Sequence, residues 1–221
     1  MTPDELLKQM YDDTLVGNGP AVLELTHTGL GLGLGPVTLL YDALIPALEE
    51  VGARFERGDF FVPEMLIAGK AMAGALEILR PLLAETGAAM IGKVVMGTVK
   101  GDVHDIGKNL VNIMFEGAGF QVIDLGVQVS PENFVDAVRE HQPDILGFSA
   151  FLTTTMPMFK ANINALEKSG LRDQVIVMVG GAPVTQEYAD VVGADGYAAD
   201  ASAAVVRAKE LLERRRAALP A

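Results

Sequence analysis

The sequence predicts an α/β protein in which an N-terminal four-helix bundle precedes a flavodoxin-like, Rossmann-like domain with a five-stranded parallel sheet. Residues 1–86 carry only helical patterns, without alternation of apolar and polar residues. From residue 89 onward, short apolar runs alternate with helices, which is typical of parallel strands joined by right-handed crossovers. Unusual polar and glycine-containing motifs follow three of these runs, as expected at the ligand-binding edge of such a sheet.

In the helical half, segments rich in Gly and Pro at residues 17–20 and 29–36 separate the helices. The third and fourth helices each carry one apolar face, and we interpret both faces mainly as bundle core. These faces consist of Tyr41, Leu44, Leu48, Val51 and Phe55, and of Met65, Met72, Leu76, Leu79 and Leu83. The glycine-leucine run from Gly29 to Gly35 follows a helix and lacks the spacing of a dinucleotide-binding loop. It is interpreted as a helix-breaking connection.

In the second half, the strands and helices alternate five times. Strands are predicted near residues 92–99, 121–125, 144–149, 175–179 and 195–198. Helices are predicted near residues 106–118, 131–141, 156–169, 184–191 and 201–216. The change of pattern places a domain boundary after residue 88, so that a helical domain of residues 1–88 precedes a sheet domain of residues 89–221.

The composition restricts the function classes. The chain has 221 residues, a formal net charge of −12 and no cysteine. Its one basic run, Arg214 to Arg216, ends a predicted helix, so we expect no binding to nucleic acid. No apolar stretch is long enough to span a membrane, and the N-terminus lacks a secretory pattern. We expect a soluble cytoplasmic protein whose partners are proteins or small molecules.

His104 lies in the sequence GDVHDIG at residues 101–107, between the first predicted strand and its helix. A carboxylate two residues before it and another directly after it could fix the orientation of a metal-binding imidazole. His27 and His141 fall in unrelated segments, so no multi-residue zinc site is expected. A metal at His104 would therefore arrive in a macrocycle, haem or corrin. A solvated or core histidine near a helix N-terminus remains the alternative on local spacing alone.

Two further loops follow the third and fourth strands, with Ser149 opening one and Gly180-Gly181 opening the other. All three loops are expected to line one crevice. Taken in order, the motifs resemble the fingerprint of the cobalamin-binding family, Asp-x-His-x-x-Gly, then Ser-x-Leu, then Gly-Gly, over most of residues 89–205. Phe151 stands where that family usually has leucine, which changes the shape of the pocket more than its chemistry.

The resemblance implies a cobalamin cofactor, in its methyl or hydroxo form, bound base-off with His104 as the lower axial cobalt ligand. The displaced nucleotide tail would enter a slot beside the sheet. Asp102 would accept the other imidazole N–H. Thr155 would complete a relay in the place where the methionine-synthase branch of the family has serine.

For the nucleotide tail, the resemblance implies that Gly107, Gly180 and Gly181 leave room and that Ser149 and Thr153 form hydrogen bonds. These hydroxyl residues could instead cap the following helix.

We prefer such a capping role for Thr154, whereas Asp105 fits a helix cap as well as a cofactor contact. The other contacts that the resemblance assigns to the cofactor are Gly101, Val103, Ile106, Phe151 and Ala201.

The segment from Val51 to Met65 is similar to the helical cap of methyl-transfer corrinoid proteins, with a glycine turn and then a proline at the start of the next helix. Phe55, Val62 and Met65 match the apolar positions that cover the upper cobalt face. Tyr41 shares the helix face of Phe55, and it could reach the same space or belong to the core.

The whole chain thus resembles the small corrinoid subunit of three-component methyltransferase systems, which serve methanol, methylamines, betaines or methoxyaromatics. Such a subunit is a methyl carrier more than an enzyme. The implied partners are a substrate-specific methyltransferase, a second methyltransferase acting on tetrahydrofolate or a thiol, and a reductive activase. A cobalamin-dependent sensor is the main alternative, and a flavin or nucleotide module and a haem protein are weaker ones.

Overall fold

A computed structural model describes residues 1–86 and 90–218, which divide into a helical unit and a sheet unit. Of the described residues, those up to Met90 and Glu116–Gly119 form the helical unit, and Ile91–Phe115 and those from Phe120 onward form the sheet unit. The predicted domain boundary lies between residues 88 and 89, and both residues are outside the described part of the chain.

The helical unit consists of helices joined by short turns, as the sequence predicts. Their bounds are α1 Pro3–Leu15, α2 Gly19–Gly31, α3 Pro36–Leu39, a π turn Leu40–Leu44, α4 Ile45–Glu56 and α5 Val62–Thr86. Thr2 caps α1 in a capping box: its hydroxyl accepts from the N–H of Glu5 at 3.2 Å, and its own N–H donates to the Glu5 carboxylate at 2.8 Å. A single turn at Gly58, with φ of +78°, separates α4 from α5.

Two details of the helical unit differ from the sequence interpretation. The Gly29–Gly35 run is only partly a connection, because α2 continues through Gly31. A Cβ atom at Gly29 would lie 2.7 Å from Cδ2 of Leu39, so this glycine permits close packing within a helix. The third helix is interrupted by the π turn, since Pro46 lacks the N–H that regular α-helical bonding to Asp42 would need.

The apolar stripes lie where helical spacing predicts. Leu44, Leu48 and Val51 are at most 2% exposed, and the stripe of α5 is buried along its whole length. At the ends of the stripe in the third helix, Tyr41 and Phe55 are half-buried. Burial of these side chains holds the helices together.

The strands of the described residues form one parallel sheet in the order β2-β1-β3-β4-β5, which confirms the predicted doubly wound fold. The strands are β1 Lys93–Thr98, β2 Gln121–Asp124, β3 Ile145–Ser149, β4 Ile176–Gly180 and β5 Gly196–Tyr197. The crossovers contain α6 Ile106–Gly117, α7 Pro131–His141, α8 Pro157–Lys168, a 3₁₀ turn Arg172–Gln174 and α9 Gln186–Val192, and α10 Ala201–Ala218 follows β5. Because β1, β3 and β4 are neighbours, the loops that follow them share one edge.

The two faces of the sheet differ in composition. One face belongs to an apolar core that also includes Phe134, Phe159 and Val192 from α7, α8 and α9. Val95, Leu146, Phe148, Val177 and Val179 are its strand residues. On the other face, pairing of neighbouring strands places Met96, Gly147, Met178 and Gly196 in one row, and Thr98, Ser149 and Gly180 in the next row toward the carboxyl edge. The second face therefore ends in small residues.

Within the described ranges, none of the helices combines the length and the apolar character needed to cross a bilayer.

Candidate functional site

His104 lies between β1 and α6, at the carboxyl edge of the sheet. The chain leaves β1 through a turn at Gly101, whose φ of +86° favours glycine, and the hydroxyl of Thr98 donates to the His104 carbonyl oxygen at 3.2 Å. The imidazole Nδ1 lies 2.7 Å from Oδ1 of Asp102, and 45% of the His104 side chain is exposed. Because Nδ1 faces the carboxylate, it holds the proton and Nε2 is the nitrogen left for a metal.

The Asp102 carboxylate is fully buried and joins two loops. Its Oδ1 also accepts from the backbone N–H of His104 at 3.0 Å. Its Oδ2 accepts from the N–H groups of Phe151 and Leu152 at 2.8 and 3.2 Å. The hydroxyl of Thr155 donates to the same oxygen at 2.7 Å. Burial acts to raise the pKa of Asp102, but these hydrogen bonds outweigh it and hold that pKa far below its usual range.

The ring of Phe151 stacks on the imidazole of His104. The ring centroids are 4.5 Å apart and the planes differ by 29°. Phe151 is itself 51% exposed, and three apolar side chains within two positions of this pair in the sequence are exposed as well: Val103, Ile106 and Leu152. Exposed apolar groups around a half-exposed imidazole suit a ligand with a large apolar surface.

Two predicted glycines border open space. Gly107 is the second residue of α6, and a Cβ atom there would meet no heavy atom of the described residues within 4 Å. At Gly180, the last residue of β4, a Cβ atom would meet only the carbonyl oxygen of Ala198, at 3.8 Å. Packing within the protein therefore does not require glycine at either position.

Gly181 is different, because the backbone of the protein requires it. Its φ is +134°, and a Cβ atom would lie 1.8 Å from the carbonyl oxygen of Ala150. This close approach joins the loops after β3 and β4. A glycine at position 181 is thus explained without any ligand.

The remaining candidates in the sheet unit lie at or near the same edge. Ser149 ends β3 and is half-buried, Thr153 is exposed in the following turn, and Ala201 is buried at the start of α10. Asp105 directly precedes α6, where its carbonyl oxygen accepts from the N–H of Asn109 at 2.8 Å.

The helix-capping interpretation of Thr154 is wrong. The N-cap residue of α8 is Met156, and it has no side-chain cap. Thr154 lies two residues before that position, in the turn that delivers Thr155 to Asp102.

The other candidates belong to the helical unit. Met65 is fully buried on α5, Val62 is half-buried at the start of that helix, and Phe55 is half-buried near the end of α4. Tyr41 is half-buried within the π turn. Phe55, Val62 and Met65 thus lie on the two helices that flank the Gly58 turn. Tyr41 lies more than three helical turns before Phe55.

Lys108 is buried, which the sequence pattern did not indicate. Its side chain is 1% exposed, and its ammonium donates to both carboxylate oxygens of Asp124 at the end of β2. A lysine on a helix normally predicts a solvated position. Its burial could have been predicted from helical spacing, because Lys108 lies four and seven residues before Asn112 and Phe115, which are buried on the same face of α6.

Two family profiles match the chain, and both are described as a B12 binding domain. One covers residues 92–206, which is more than half of the chain, and the other covers residues 6–80. The chain is thus a B12-binding protein with the corresponding fold, and a corrinoid is its cofactor.

Comparison with individual proteins narrows the class. The chain is 43% identical to dimethylamine corrinoid protein 1 of Methanosarcina acetivorans, over 96% of this chain and 100% of that protein. Its structure resembles a chain of the methanol:cobalamin methyltransferase complex MtaBC from Methanosarcina barkeri, with a TM-score of 0.82, 29% identity, and coverage of 98% of this chain and 81% of that one. It also resembles a cobalamin-binding protein from Desulfitobacterium hafniense, with a TM-score of 0.68, 30% identity, and coverage of 97% and 98%. The chain belongs to the family of corrinoid proteins of methyltransferase systems.

The residues present fit a corrinoid. Within residues 1–86 and 90–218, no group of three or more His, Asp or Glu side chains is placed to hold a bare metal ion, so His104 offers a single nitrogen. That suits a metal whose equatorial ligands come from a macrocycle. The exposed apolar side chains beside His104 and the open space at Gly107 match a broad ring with an appended tail.

Proposed function

We propose that the chain is a methyl carrier that holds its corrinoid base-off, with Nε2 of His104 as the lower axial ligand. When bound, the corrinoid supplies the cobalt that accepts and releases the methyl group. One observation carries this proposal: a half-exposed imidazole whose Nδ1 is held at 2.7 Å by the buried carboxylate of Asp102, which in turn accepts from Thr155.

Each member of this chain of hydrogen bonds has a distinct task. Asp102 keeps the proton on Nδ1 and so keeps Nε2 available as a ligand. Thr155 and the backbone N–H of Phe151 fix the carboxylate itself. The hydrogen bond to Asp102 would keep the imidazole in place whether or not its Nε2 is bound to the metal.

The nucleotide tail is proposed to lie along the face of the sheet that ends in small residues. The row of Thr98, Ser149 and Gly180 would line its entrance, and the missing side chain at Gly107 would let it pass the start of α6. Ser149 and Thr153 would supply hydroxyl groups to the polar part of the tail. In the helical unit, Phe55, Val62 and Met65 are proposed to shield the opposite side of the corrin from water, with Tyr41 as a further candidate.

The proposed partners are a substrate-specific methyltransferase, which delivers the methyl group, and a second methyltransferase, which passes it to tetrahydrofolate or a thiol. A reductive activase would restore the cofactor after accidental oxidation. Similarity to proteins named as dimethylamine corrinoid proteins and to a chain of a methanol:cobalamin methyltransferase complex supports the first partner. The identity of the methyl donor would be set by that partner.

The test is reconstitution of the protein with hydroxocobalamin, followed by visible spectroscopy and by electron paramagnetic resonance of the Co(II) form. The wild-type protein should bind one corrinoid, and Co(II) should show coupling to one protein nitrogen. His104→Ala should retain the corrinoid but lose that coupling, whereas His27→Ala, which alters an exposed histidine of α2, should keep it. An unchanged spectrum in His104→Ala would refute His-on binding, and failure of the wild-type protein to retain a corrinoid would refute the whole proposal.

A further inference from the structure

The contact between Phe151 and His104 goes beyond the proposed relay. Asp102 and Thr155 act on the edge of the imidazole, through its Nδ1. Phe151 acts on the face of the ring, with centroids 4.5 Å apart and planes 29° from parallel. It occupies the position where the Ser-x-Leu pattern has leucine, a side chain without a planar surface.

The hydrogen bond between His104 and Asp102 restrains only one edge of the imidazole, so the ring keeps one rotational freedom. The bond from Nδ1 to Oδ1 of Asp102 fixes the direction of that nitrogen, but the ring can still swing about the N–H···O line. A second ring packed on the imidazole face opposes this swing. With both restraints, Nε2 points in one direction before any metal arrives, and a preorganised ligand binds more tightly because less freedom is lost on binding.

Phe151 also allows the effect of its ring to be separated from that of its backbone. Its N–H donates to Oδ2 of Asp102 at 2.8 Å, and any residue other than proline keeps that bond. The ring is 51% exposed, so its replacement leaves no buried cavity. Substitution of the ring should therefore leave the fold and the Asp102 contacts intact.

We propose that Phe151 is a positioning residue that strengthens the bond between His104 and cobalt by stacking on the imidazole. This inference rests on the proposed His-on binding. An aromatic pair of this kind is worth about two- to tenfold in an equilibrium constant. Phe151→Leu and Phe151→Ala should weaken binding of His104 to Co(II) by that factor, whereas Phe151→Tyr, which keeps an aromatic ring, should bind Co(II) as tightly as the wild-type protein.

The Co(II)/Co(I) midpoint potential of the reconstituted protein measures this effect directly. The axial imidazole stabilises Co(II) but not the four-coordinate Co(I), so weaker His104 binding raises the potential. A loss of about two- to tenfold corresponds to an increase of about 20 to 60 mV for a one-electron couple. Val191→Ala is the control, because it shortens an exposed apolar side chain of α9 that is not among the residues assigned to the site. Its potential should equal that of the wild-type protein.

A second set of variants distinguishes action through His104 from direct contact with the corrin. In the His104→Ala background, Phe151→Ala should cause no further change in potential. A shift that persists in that background would show that the ring acts on the corrin and would overturn the proposal. The proposal would also be overturned if Phe151→Leu and Phe151→Ala both had the wild-type potential. If His104→Ala itself leaves the potential and the nitrogen coupling unchanged, the underlying His-on function fails instead.

Discussion

Asp102→Asn provides a sharp test of the relay, because it keeps the size of the side chain and removes one acceptor. With its oxygen toward His104, the new amide would direct its NH₂ group at the N–H groups of Phe151 and Leu152, which cannot turn away. Each buried donor left without a partner costs about 1–3 kcal/mol. This orientation therefore leaves two backbone donors unsatisfied.

The flipped amide is the less costly arrangement, and it disables the ligand. Its oxygen would satisfy Phe151, Leu152 and Thr155, and its NH₂ group would face His104. The backbone N–H of His104 would lose its acceptor, which costs about 1–3 kcal/mol. Since Nδ1 would now have to accept a hydrogen bond, the imidazole proton would move to Nε2, the atom needed for cobalt.

The two orientations together define the expected result. Urea unfolding of Asp102→Asn, followed by circular dichroism, should show a loss of about 1–3 kcal/mol in the free energy of unfolding of the protein. The Co(II) form should lose its nitrogen coupling. Asp136→Asn, which alters an exposed ion pair with Arg139, should change stability by less than about 0.5 kcal/mol and keep the coupling. If Asp102→Asn retained both wild-type stability and the coupling, Asp102 would not have the role proposed for it.

The remaining predictions concern polar contacts and glycines of the sheet unit. Thr155→Val should weaken the nitrogen coupling and destabilise the protein by about 1 kcal/mol, because it removes the hydroxyl that donates to Asp102. Thr155→Ser keeps that hydroxyl and should therefore keep the wild-type coupling and stability. An equal effect of the two variants would contradict this prediction. Urea unfolding should show a loss of about 3 kcal/mol in Asp124→Asn, because the buried ammonium of Lys108 loses its counter-charge and keeps only its hydrogen bond to Asn109. Lys108→Met should cost only about 1 kcal/mol, because the carboxylate it leaves is 37% exposed to water, and the reverse order of the two losses would be inconsistent with this burial. Gly107→Ala should stabilise the corrinoid-free protein by about 0.5–1 kcal/mol, because a Cβ atom at this position of α6 meets no heavy atom of the described residues within 4 Å. The same Cβ atom should weaken cobalamin binding about tenfold by obstructing the proposed path of the nucleotide tail. Binding of cobinamide, which lacks the nucleotide tail, should not change. Gly181→Ala should instead destabilise the protein by about 1–3 kcal/mol, which unfolding of the two glycine variants side by side would check.

The elements that the sequence predicted well are those with one dominant local signal. Each strand of the sheet is a short apolar run, and each observed boundary lies within about two residues of the prediction, which is the usual uncertainty of such boundaries. The meeting of the three loops followed from topology, because neighbouring parallel strands end at the same edge. The motif around His104 also placed Asp102 within reach of the imidazole, since the two residues are separated by a single position in a tight turn.

The features that could not be predicted depend on side chains from distant parts of the chain. Stacking of Phe151 on His104 joins residues 47 positions apart, as their numbers show, and no local pattern specifies the orientation of the rings. Burial of Lys108 requires a carboxylate from β2, so helical periodicity alone predicts a solvated lysine. The π turn depends on how the chain accommodates Pro46 once the helices pack.

Glycines in the sheet unit show why sequence alone cannot separate packing from binding. Gly147 and Gly196 are covered by the protein, since Cβ atoms there would meet Sδ of Met96 at 2.0 Å and Cδ1 of Leu211 at 2.7 Å. Glycine in the middle of a strand weakens it unless something approaches closely, and at these positions neighbouring side chains do so. At Gly107 and Gly180, a Cβ atom would meet at most one described atom within 4 Å, at 3.8 Å. Nothing in the fold requires glycine at those two positions, and both lie at the edge that presents His104, where open space is compatible with the proposed nucleotide tail.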